Sequence, residues 1–304
     1  MIPEQELRKR IKSITDNAEV LRIVLDINSL KIQGAKNVAL ASLNALKILY
    51  DEEGLTNNFF NLIDLLQNLR YTQVITFNAL EIVKKYISKD PKIFDKLIKY
   101  IKESYMKINE NLVKELSNMS DNNIKILTHC HSSEEVSSLI YAKNKGFNLT
   151  VYVTETRPKY QGIKTAKELL ESGINVIYIV DSASGLYIDD IDLVLFGCDA
   201  IRKEGIVNKI GTYMISLCAK EHKKFVWFVG DLLKTDLREK FEIEMRDPKE
   251  IIDPKEIPGA KILNPAFDLT PWRLIDKVIT DKRVYEKFNL ISDEFKNIEN
   301  YLIL

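Results

Sequence analysis

Two of the three histidines in this chain flank a cysteine in the stretch ILTHCHSSEEV, residues 126–136. His129 and His131 are two positions apart, so on an extended segment both side chains would lie on one face and could ligate a metal ion. No HExxH motif and no third ligand follow them, which argues against zinc. Cys130 could instead exchange protons with a substrate, or it could be a buried structural cysteine at the end of a strand.

The serines that follow, Ser132 and Ser133, are typical of a helix start. The amides in the first turn of a helix have no intrahelical acceptors and attract anions, so this position is expected to bind phosphate. The same positive helix end is expected to lower the pKa of Cys130, which would suit an acid or base.

Three further polar loops follow apolar runs. Asp199 ends LVLFGCD, either as a turn or cap residue or as a carboxyl group whose pKa is raised in a dry cleft. Asn208 and Lys209 in NKIGT are expected to begin an amphipathic helix, where a lysine and free amides suit phosphate, although Lys209 could be a solvated surface charge. Arg157 in TETRPKYQG is either a substrate contact or a salt-bridge residue.

Short β-branched and aromatic runs precede these loops, and a helix-like segment follows each run. The runs are IKILTHC, LTVYVTE, NVIYIV, LVLFGCD, KFVWFVG and KVITD. This alternation predicts a Rossmann-like α/β domain, a doubly wound parallel sheet, over residues 120–304. Ligands bind beyond the carboxyl ends of the strands in such sheets, so the polar loops should converge at one edge.

The residues before this domain have a different pattern. From Gln5 to about Ser117 the apolar residues recur at spacings of three and four, as in VITFNALEIVKKYI. This spacing predicts a helical domain of five or six helices over residues 1–119. The run NMSDNN supplies cap and turn residues and marks the boundary.

Composition restricts the partners and the location of the protein. Lysine plus arginine and aspartate plus glutamate both number 44, so no net charge attracts nucleic acid or a membrane surface. No signal-peptide core and no membrane-length apolar run are evident, so a cytoplasmic protein is expected. Three cysteines without CxxC spacing should be free thiols. The sequence has no GxGxxG fingerprint, and no metal or organic cofactor is expected.

The loops taken together resemble a known family. THCHS, VTETRPKYQG, NVIYIVDSA, NKIGT, AKEH, FEIEMRDP and NPAFDLTP are similar to segments of archaeal ribose 1,5-bisphosphate isomerases. A fainter similarity extends through the helical part. The wider family includes methylthioribose 1-phosphate isomerase and the regulatory subunits of translation initiation factor 2B.

The resemblance implies site residues. The isomerase branches use a cysteine and an aspartate, and Cys130 and Asp199 occupy those positions, whereas regulatory subunits generally lack the pair. Implied substrate contacts in the α/β domain are Ser132, Ser133, Arg157, Asn208, Lys209 and Lys234. In the helical domain they are Gly34, Ala35, Lys36 and Arg70. The family's Arg-Gly-Ala turn is Gln33-Gly34-Ala35 here, so a bidentate phosphate donor is missing unless Lys36 compensates. The family's Arg-Pro-Thr pattern is also replaced, by LRYTQ.

We therefore expect an aldose–ketose isomerase that converts ribose 1,5-bisphosphate into ribulose 1,5-bisphosphate, with Cys130 and Asp199 as the acid and base in an order left open. The resemblance implies a homo-oligomer, either a dimer or a trimer of dimers. The alternative is an initiation factor 2B-like regulatory subunit that docks on a translation factor and senses a nucleotide or sugar phosphate. A structural dimerisation module is a third interpretation.

Overall fold

The computed structural model describes residues 2–32, 34–119 and 121–298. The described residues fall into two compact units, one of residues up to Glu103 together with residues from Glu294, the other Ser104–Asp293. The domain boundary predicted between residues 119 and 120 stays a prediction. In the described ranges no helix is both long and apolar enough to cross a membrane.

Helices make up the first part of the chain. Among the described residues, six α-helices precede the first strand, as the apolar spacing predicted: α1 Glu4–Lys12, α2 Ala18–Asn28, α3 Ala35–Glu53, α4 Asn57–Leu69, α5 Val74–Tyr86 and α6 Ile93–Leu116. Asn17 caps α2 by accepting the amides of Glu19 and Val20, which fixes where that helix begins. Phe59 and Phe94 are fully buried with ring centroids 6.4 Å apart, so aromatic packing anchors this unit.

A seven-stranded sheet forms the centre of the second unit in the part of the chain that the structure describes. Its strands are β1 Asn123–Thr128, β2 Asn148–Thr154, β3 Asn175–Ile179, β4 Leu193–Gly197, β7 Phe225–Val229, β9 Lys277–Ile279 and β10 Val284–Tyr285, in the spatial order β10-β9-β7-β4-β1-β2-β3. All neighbours pair in parallel except β10 with β9. Each predicted apolar run supplies one strand, and the predicted α/β fold is confirmed.

Helices and a second sheet complete this unit. The helices are α7 Ser133–Asn144, α8 Gly162–Glu171 and α9 Thr212–Glu221, followed by α10 Phe288–Lys296, whose last residues belong to the first unit. Every residue of β4 is buried, because β1 and β7 flank it in the sheet and α7 and α9 pack against it. Each such apolar side chain contributes roughly 1.5 to 3 kcal/mol.

The second sheet was not predicted. It is antiparallel, with the order β5-β6-β8, and its strands are β5 Ala200–Ile201, β6 Gly205–Lys209 and β8 Phe267–Pro271. The expectation that Asn208 and Lys209 begin a helix is therefore wrong. They end β6, and α9 begins only at Thr212, after Gly211 adopts a left-handed φ of 107°.

Candidate active site

The loops after β1, β2 and β3 meet at the carboxyl edge of the parallel sheet. The Cys130 amide donates to Thr156 Oγ1 at 2.9 Å, which joins the first two loops. The Thr156 amide donates to Asp181 Oδ1 at 2.7 Å, which joins the second and third. The convergence predicted for parallel strands is thus present at this edge.

Cys130 lies just beyond β1 in an unusual conformation. Its φ is 77°, so the chain turns there and the segment that holds both histidines is not extended. The residue as a whole is partly exposed, although protein closely surrounds its thiol. Burial raises the pKa of Cys130 to about 12, and the neighbouring Lys209 ammonium offsets only part of that rise. The expected lowering of the Cys130 pKa by the helix end is wrong, because burial outweighs it.

Asp199 follows β4 and is also partly exposed. Burial raises its pKa, while Lys234 and Lys209 act to lower it. Of the two interpretations left open for Asp199, this favours the carboxyl group in a dry cleft. Asp199 in turn raises the pKa of Cys130, so the two acids lie close enough to influence each other. Two acidic groups with raised pKa values therefore lie near each other at the carboxyl edge of the sheet.

Lys209 is the cation that lies near both Cys130 and Asp199. It is buried, and its Nζ lies 5.4 Å from the centre of the Phe267 ring. Within residues 2–32, 34–119 and 121–298 it forms no ion pair with a carboxylate. It is therefore not the solvated surface charge of the alternative interpretation. The adjacent Asn208 donates from Nδ2 to Thr212 Oγ1 at 3.0 Å.

The groups expected to hold phosphate at the start of α7 instead contact a glutamate of the chain itself. Ser132 and Ser133 donate to Glu134 Oε2 at 3.2 and 3.1 Å, and Lys234 Nζ lies 2.8 Å from Glu134 Oε1. Burial by itself would lower the pKa of Lys234, but the Glu134 carboxylate raises it above its ordinary value. Ser132 does cap the helix, since its Oγ accepts the Glu135 amide at 3.4 Å. Glu134 was missed because its lysine partner is remote in sequence.

The start of α9 holds a carboxylate as well. Asp268 of β8 accepts the amides of Gly211 at 2.7 Å and of Tyr213 at 3.2 Å. Burial raises the pKa of Asp268 to about 6, although these amides act to lower it. The free amides predicted for this helix end are therefore already paired with Asp268, and no pattern in the sequence indicated that partner.

Glu135 and Gly197 bring the ends of β1 and β4 together. Thr128, the last residue of β1, donates to the buried Glu135 carboxyl group at 2.5 Å. Burial raises the pKa of Glu135 to about 8 despite hydrogen bonds from Thr128 and the Gly197 backbone. A Cβ atom on Gly197 would lie 2.3 Å from the Cβ of Ser132, so only glycine permits this approach.

The two histidines are hydrogen-bonded within the protein. His129 Nε2 donates to the Ile210 carbonyl at 2.8 Å, and its Nδ1 accepts from Thr154 Oγ1 at 2.6 Å. This is the neutral tautomer, in line with the burial that lowers the pKa of His129. His131 Nδ1 contacts Thr165 Oγ1 at 3.1 Å. Over the described residues no group of three or more His, Cys, Asp or Glu side chains could hold a metal ion.

The remaining predicted residues make other contacts or belong to the first unit. The Arg157 guanidinium is exposed and contacts Tyr160 Oη at 2.5 Å and the Ile251 carbonyl at 3.3 Å. All three cysteines are free thiols, as predicted. Gly34, Ala35 and Lys36 lie at the start of α3, and Arg70 caps the end of α4, so all four belong to the first unit. The predicted departure at Gln33 lies outside the described residues.

Comparison with known proteins identifies the family. Residues 31–287 match the initiation factor 2 subunit family. This chain belongs to that family. Ribose 1,5-bisphosphate isomerase of Pyrococcus furiosus is 35% identical over 305 residues, covering 91% of this chain and 94% of that protein. The 5-deoxyribose 1-phosphate isomerase of Clostridium botulinum strain Hall is 32% identical over 235 residues, covering 70% of this chain and 66% of that protein.

A solved structure of another protein has the same fold. The translation initiation factor eIF-2B of Pyrococcus horikoshii OT3 superposes with a TM-score of 0.77 at 23% identity, covering 90% of this chain and 99% of that chain. At that identity the likeness concerns the fold alone. The two relatives named as isomerases match this chain at 35% and 32% identity, whereas the translation factor is similar to it in fold alone.

Proposed function

We propose that this protein of the initiation factor 2 subunit family is a sugar-phosphate isomerase that converts ribose 1,5-bisphosphate into ribulose 1,5-bisphosphate. The observation that carries the proposal is the pairing of Cys130 and Asp199, two partly exposed acids whose pKa values burial raises, beside the buried Lys209. A regulatory subunit needs no such pair. The relative from Pyrococcus furiosus, named for this reaction, matches over 91% of the chain.

The substrate explains why two proton-transfer groups are needed. Its C1 carries phosphate and no free hydroxyl, so the sugar ring cannot open by itself. The ring oxygen must gain a proton as its bond to C1 breaks, which leaves C1 electron-poor. Hydrogen then moves with its electron pair from C2 to C1, and the C2 hydroxyl loses its proton as C2 becomes a carbonyl. One proton enters and one leaves, so no redox partner is consumed.

Their pKa values assign the two roles. With a pKa of about 12 the Cys130 thiol keeps its proton at neutral pH, so it protonates the ring oxygen. Asp199 accepts the C2 hydroxyl proton, because the ammonium groups of Lys234 and Lys209 favour its ionised form against the effect of burial. Solvent exchange then restores both groups.

Lys209 and Asn208 are the phosphate contacts that the second unit best supports, since Lys209 is buried and forms no ion pair in the described part of the chain. Phosphate at Ser132, Ser133 and Lys234 would have to share those groups with Glu134. The remaining proposed contacts follow from the family resemblance and are Gly34, Ala35, Lys36, Arg70 and Arg157.

The partners proposed for this chain are a phosphorylated sugar and further copies of itself, in a dimer or a trimer of dimers. A cytoplasmic location suits that substrate. Light scattering on the purified protein measures the oligomeric state, and a monomer would contradict that part of the proposal.

The test is to incubate the purified protein with ribose 1,5-bisphosphate and to follow ribulose 1,5-bisphosphate by phosphorus and proton NMR. A substrate with deuterium at C2 should yield product with deuterium at C1, and its loss to water would contradict the proposed hydrogen transfer. Ribose 1-phosphate and 5-deoxyribose 1-phosphate, run alongside, measure what the second phosphate contributes. Nucleotide binding without turnover of any sugar would instead favour a regulatory subunit.

A further inference from the structure

The backbone at Cys130 is held in a conformation that the residue would not adopt unaided. A positive φ is uncommon for residues other than glycine, because the Cβ atom approaches the backbone carbonyl. At Cys130 φ is 77°. Such conformations persist only where neighbouring groups enforce them, and they cluster at functional sites.

Two threonine side chains hold this conformation. Thr156 Oγ1 accepts the Cys130 amide at 2.9 Å, and Thr165 Oγ1 donates to the Cys130 carbonyl at 2.9 Å. Both threonines are fully buried. The peptide groups on each side of the Cys130 Cα are therefore fixed, and the direction of the thiol with them.

Thr156 is itself held in a strained conformation. Its φ is 62°, which is unfavourable for a β-branched residue. The Asp181 carboxylate accepts the Thr156 amide at 2.7 Å and the Arg157 amide at 2.8 Å, one with each oxygen. An ionised carboxylate that accepts two backbone amides binds more strongly than a neutral acceptor does, so Asp181 is a firm anchor for the loop.

We propose that Thr156, anchored by Asp181, is a positioning residue that fixes the Cys130 thiol for proton transfer. This inference rests on the proposed function, in which the thiol donates to the ring oxygen of the sugar. Neither Thr156 nor Asp181 needs to touch the substrate. Proton transfer requires a donor within hydrogen-bonding reach of its acceptor, so a small rotation at residue 130 removes the thiol from that position.

The first test compares isomerase kinetics of Thr156→Val and Thr156→Ser. Valine keeps the shape and removes the acceptor, so kcat should fall by about 10- to 100-fold with KM changed by less than about threefold. Serine keeps the hydroxyl and should restore most of kcat. Thr150→Val is the matched control, because Thr150 lies near the amino end of β2, the strand that leads into the Thr156 loop, and its hydroxyl accepts from Asn175 Nδ2. It should leave kcat within about twofold.

The second test needs no turnover. Iodoacetamide alkylation of Cys130 is followed by peptide mass spectrometry, which separates Cys130 from the other two cysteines. A thiol released from its buried position ionises more readily, so Thr156→Val should alkylate about threefold faster or more, and Thr156→Ser and Thr150→Val should match the unaltered protein. Asp181→Asn, which lacks the negative charge, should lie between these limits and serves if Thr156→Val fails to fold.

The outcomes separate the two proposals. Unchanged alkylation together with unchanged kcat in Thr156→Val and Asp181→Asn would overturn the positioning role. Faster alkylation in these variants, with no isomerase activity in the unaltered protein, would support the positioning of Cys130 and overturn the proposed function. A loss of thermal stability in Thr156→Val with neither kcat nor alkylation changed would show a structural role only.

Discussion

The buried ion pair between Glu134 and Lys234 should make the stability of the second unit sensitive to the loss of either partner. Both side chains are 4% exposed and their charged atoms lie 2.8 Å apart. At an effective dielectric constant of about 20, two unit charges at this distance attract by roughly 6 kcal/mol. Removing both charges from water costs several kcal/mol per ion, so the net contribution of the intact pair is small.

Removing only one partner of the pair should be strongly destabilising, because it leaves the other charge buried without its counterion. Lys234→Met should lower the free energy of unfolding by about 3 to 5 kcal/mol. Glu134→Leu should fall at the lower end of that range, because Asp199 also acts on the Lys234 ammonium. The double variant should return to within about 1 kcal/mol of the unaltered protein, since it removes both burial costs together.

Urea unfolding followed by tryptophan fluorescence measures these differences. Both tryptophans of the chain, Trp227 and Trp272, lie in the second unit, so the signal reports on the unit that holds the pair. The matched control is Glu110→Gln, which breaks an exposed pair with Lys107 in α6 and should cost less than about 0.5 kcal/mol. If the two single variants were additive in the double variant, the pair would not be coupled and the reasoning would fail.

Four further outcomes are expected. Cys130→Ser and Asp199→Asn should each lower kcat about 10²- to 10⁴-fold in the NMR assay, with folding checked by circular dichroism. If either variant kept activity near that of the unaltered protein, the substituted residue would have no role in the proton transfer. Lys209→Met should raise the pKa of Asp199 further, so the acid limb of the kcat/KM profile should move to higher pH, and an unmoved limb would separate Lys209 from Asp199. The folded-state pKa of Glu135 is raised from 4.5 to about 8, so its contribution to stability is present below pH 4.5 and is lost as pH rises to about 8. Glu135→Gln should therefore gain stability relative to the unaltered protein between about pH 5 and 8, as measured by urea unfolding midpoints. A difference in stability that stays constant with pH would contradict the raised pKa. Gln33→Arg should tighten ribose 1,5-bisphosphate by about 1.5 to 3 kcal/mol in calorimetry, whereas unchanged affinity would indicate that another cation already binds the second phosphate.

The parallel sheet could be predicted because each of its strands is recognisable from a short stretch of sequence. Each strand is a continuous apolar run, and the loops after such runs must meet at one edge. The second sheet could not be predicted from the sequence. Its strand β5 has only two residues and its strand β8 includes a proline, so neither was recognised as a strand. Asn208 and Lys209 were misplaced for a related reason: Gly211 and Thr212 do begin a helix, and nothing in NKIGT separates its first residues from that helix.

The candidate acids could be predicted from residue type and position, but their surroundings could not. Asp268 lies 57 residues from Gly211, and no sequence pattern links a carboxylate in one strand to the amides of a distant helix. The prediction of a lowered Cys130 pKa was wrong for the same reason. The helix start can be recognised in the sequence, whereas the burial that outweighs its effect is a property of the folded chain.

The missing side chain at Gly197 has a consequence for the spacing of the two candidate acids. Gly197 precedes Asp199 by two residues, and Ser132, which it nearly touches, follows Cys130 by two. The two acids are therefore attached to segments whose spacing is set by the absence of one methyl group. Any larger residue at position 197 would push those segments apart and increase the distance between Cys130 and Asp199. Under the proposed function, Gly197 would thus influence which sugars fit between Cys130 and Asp199 without contributing a functional group.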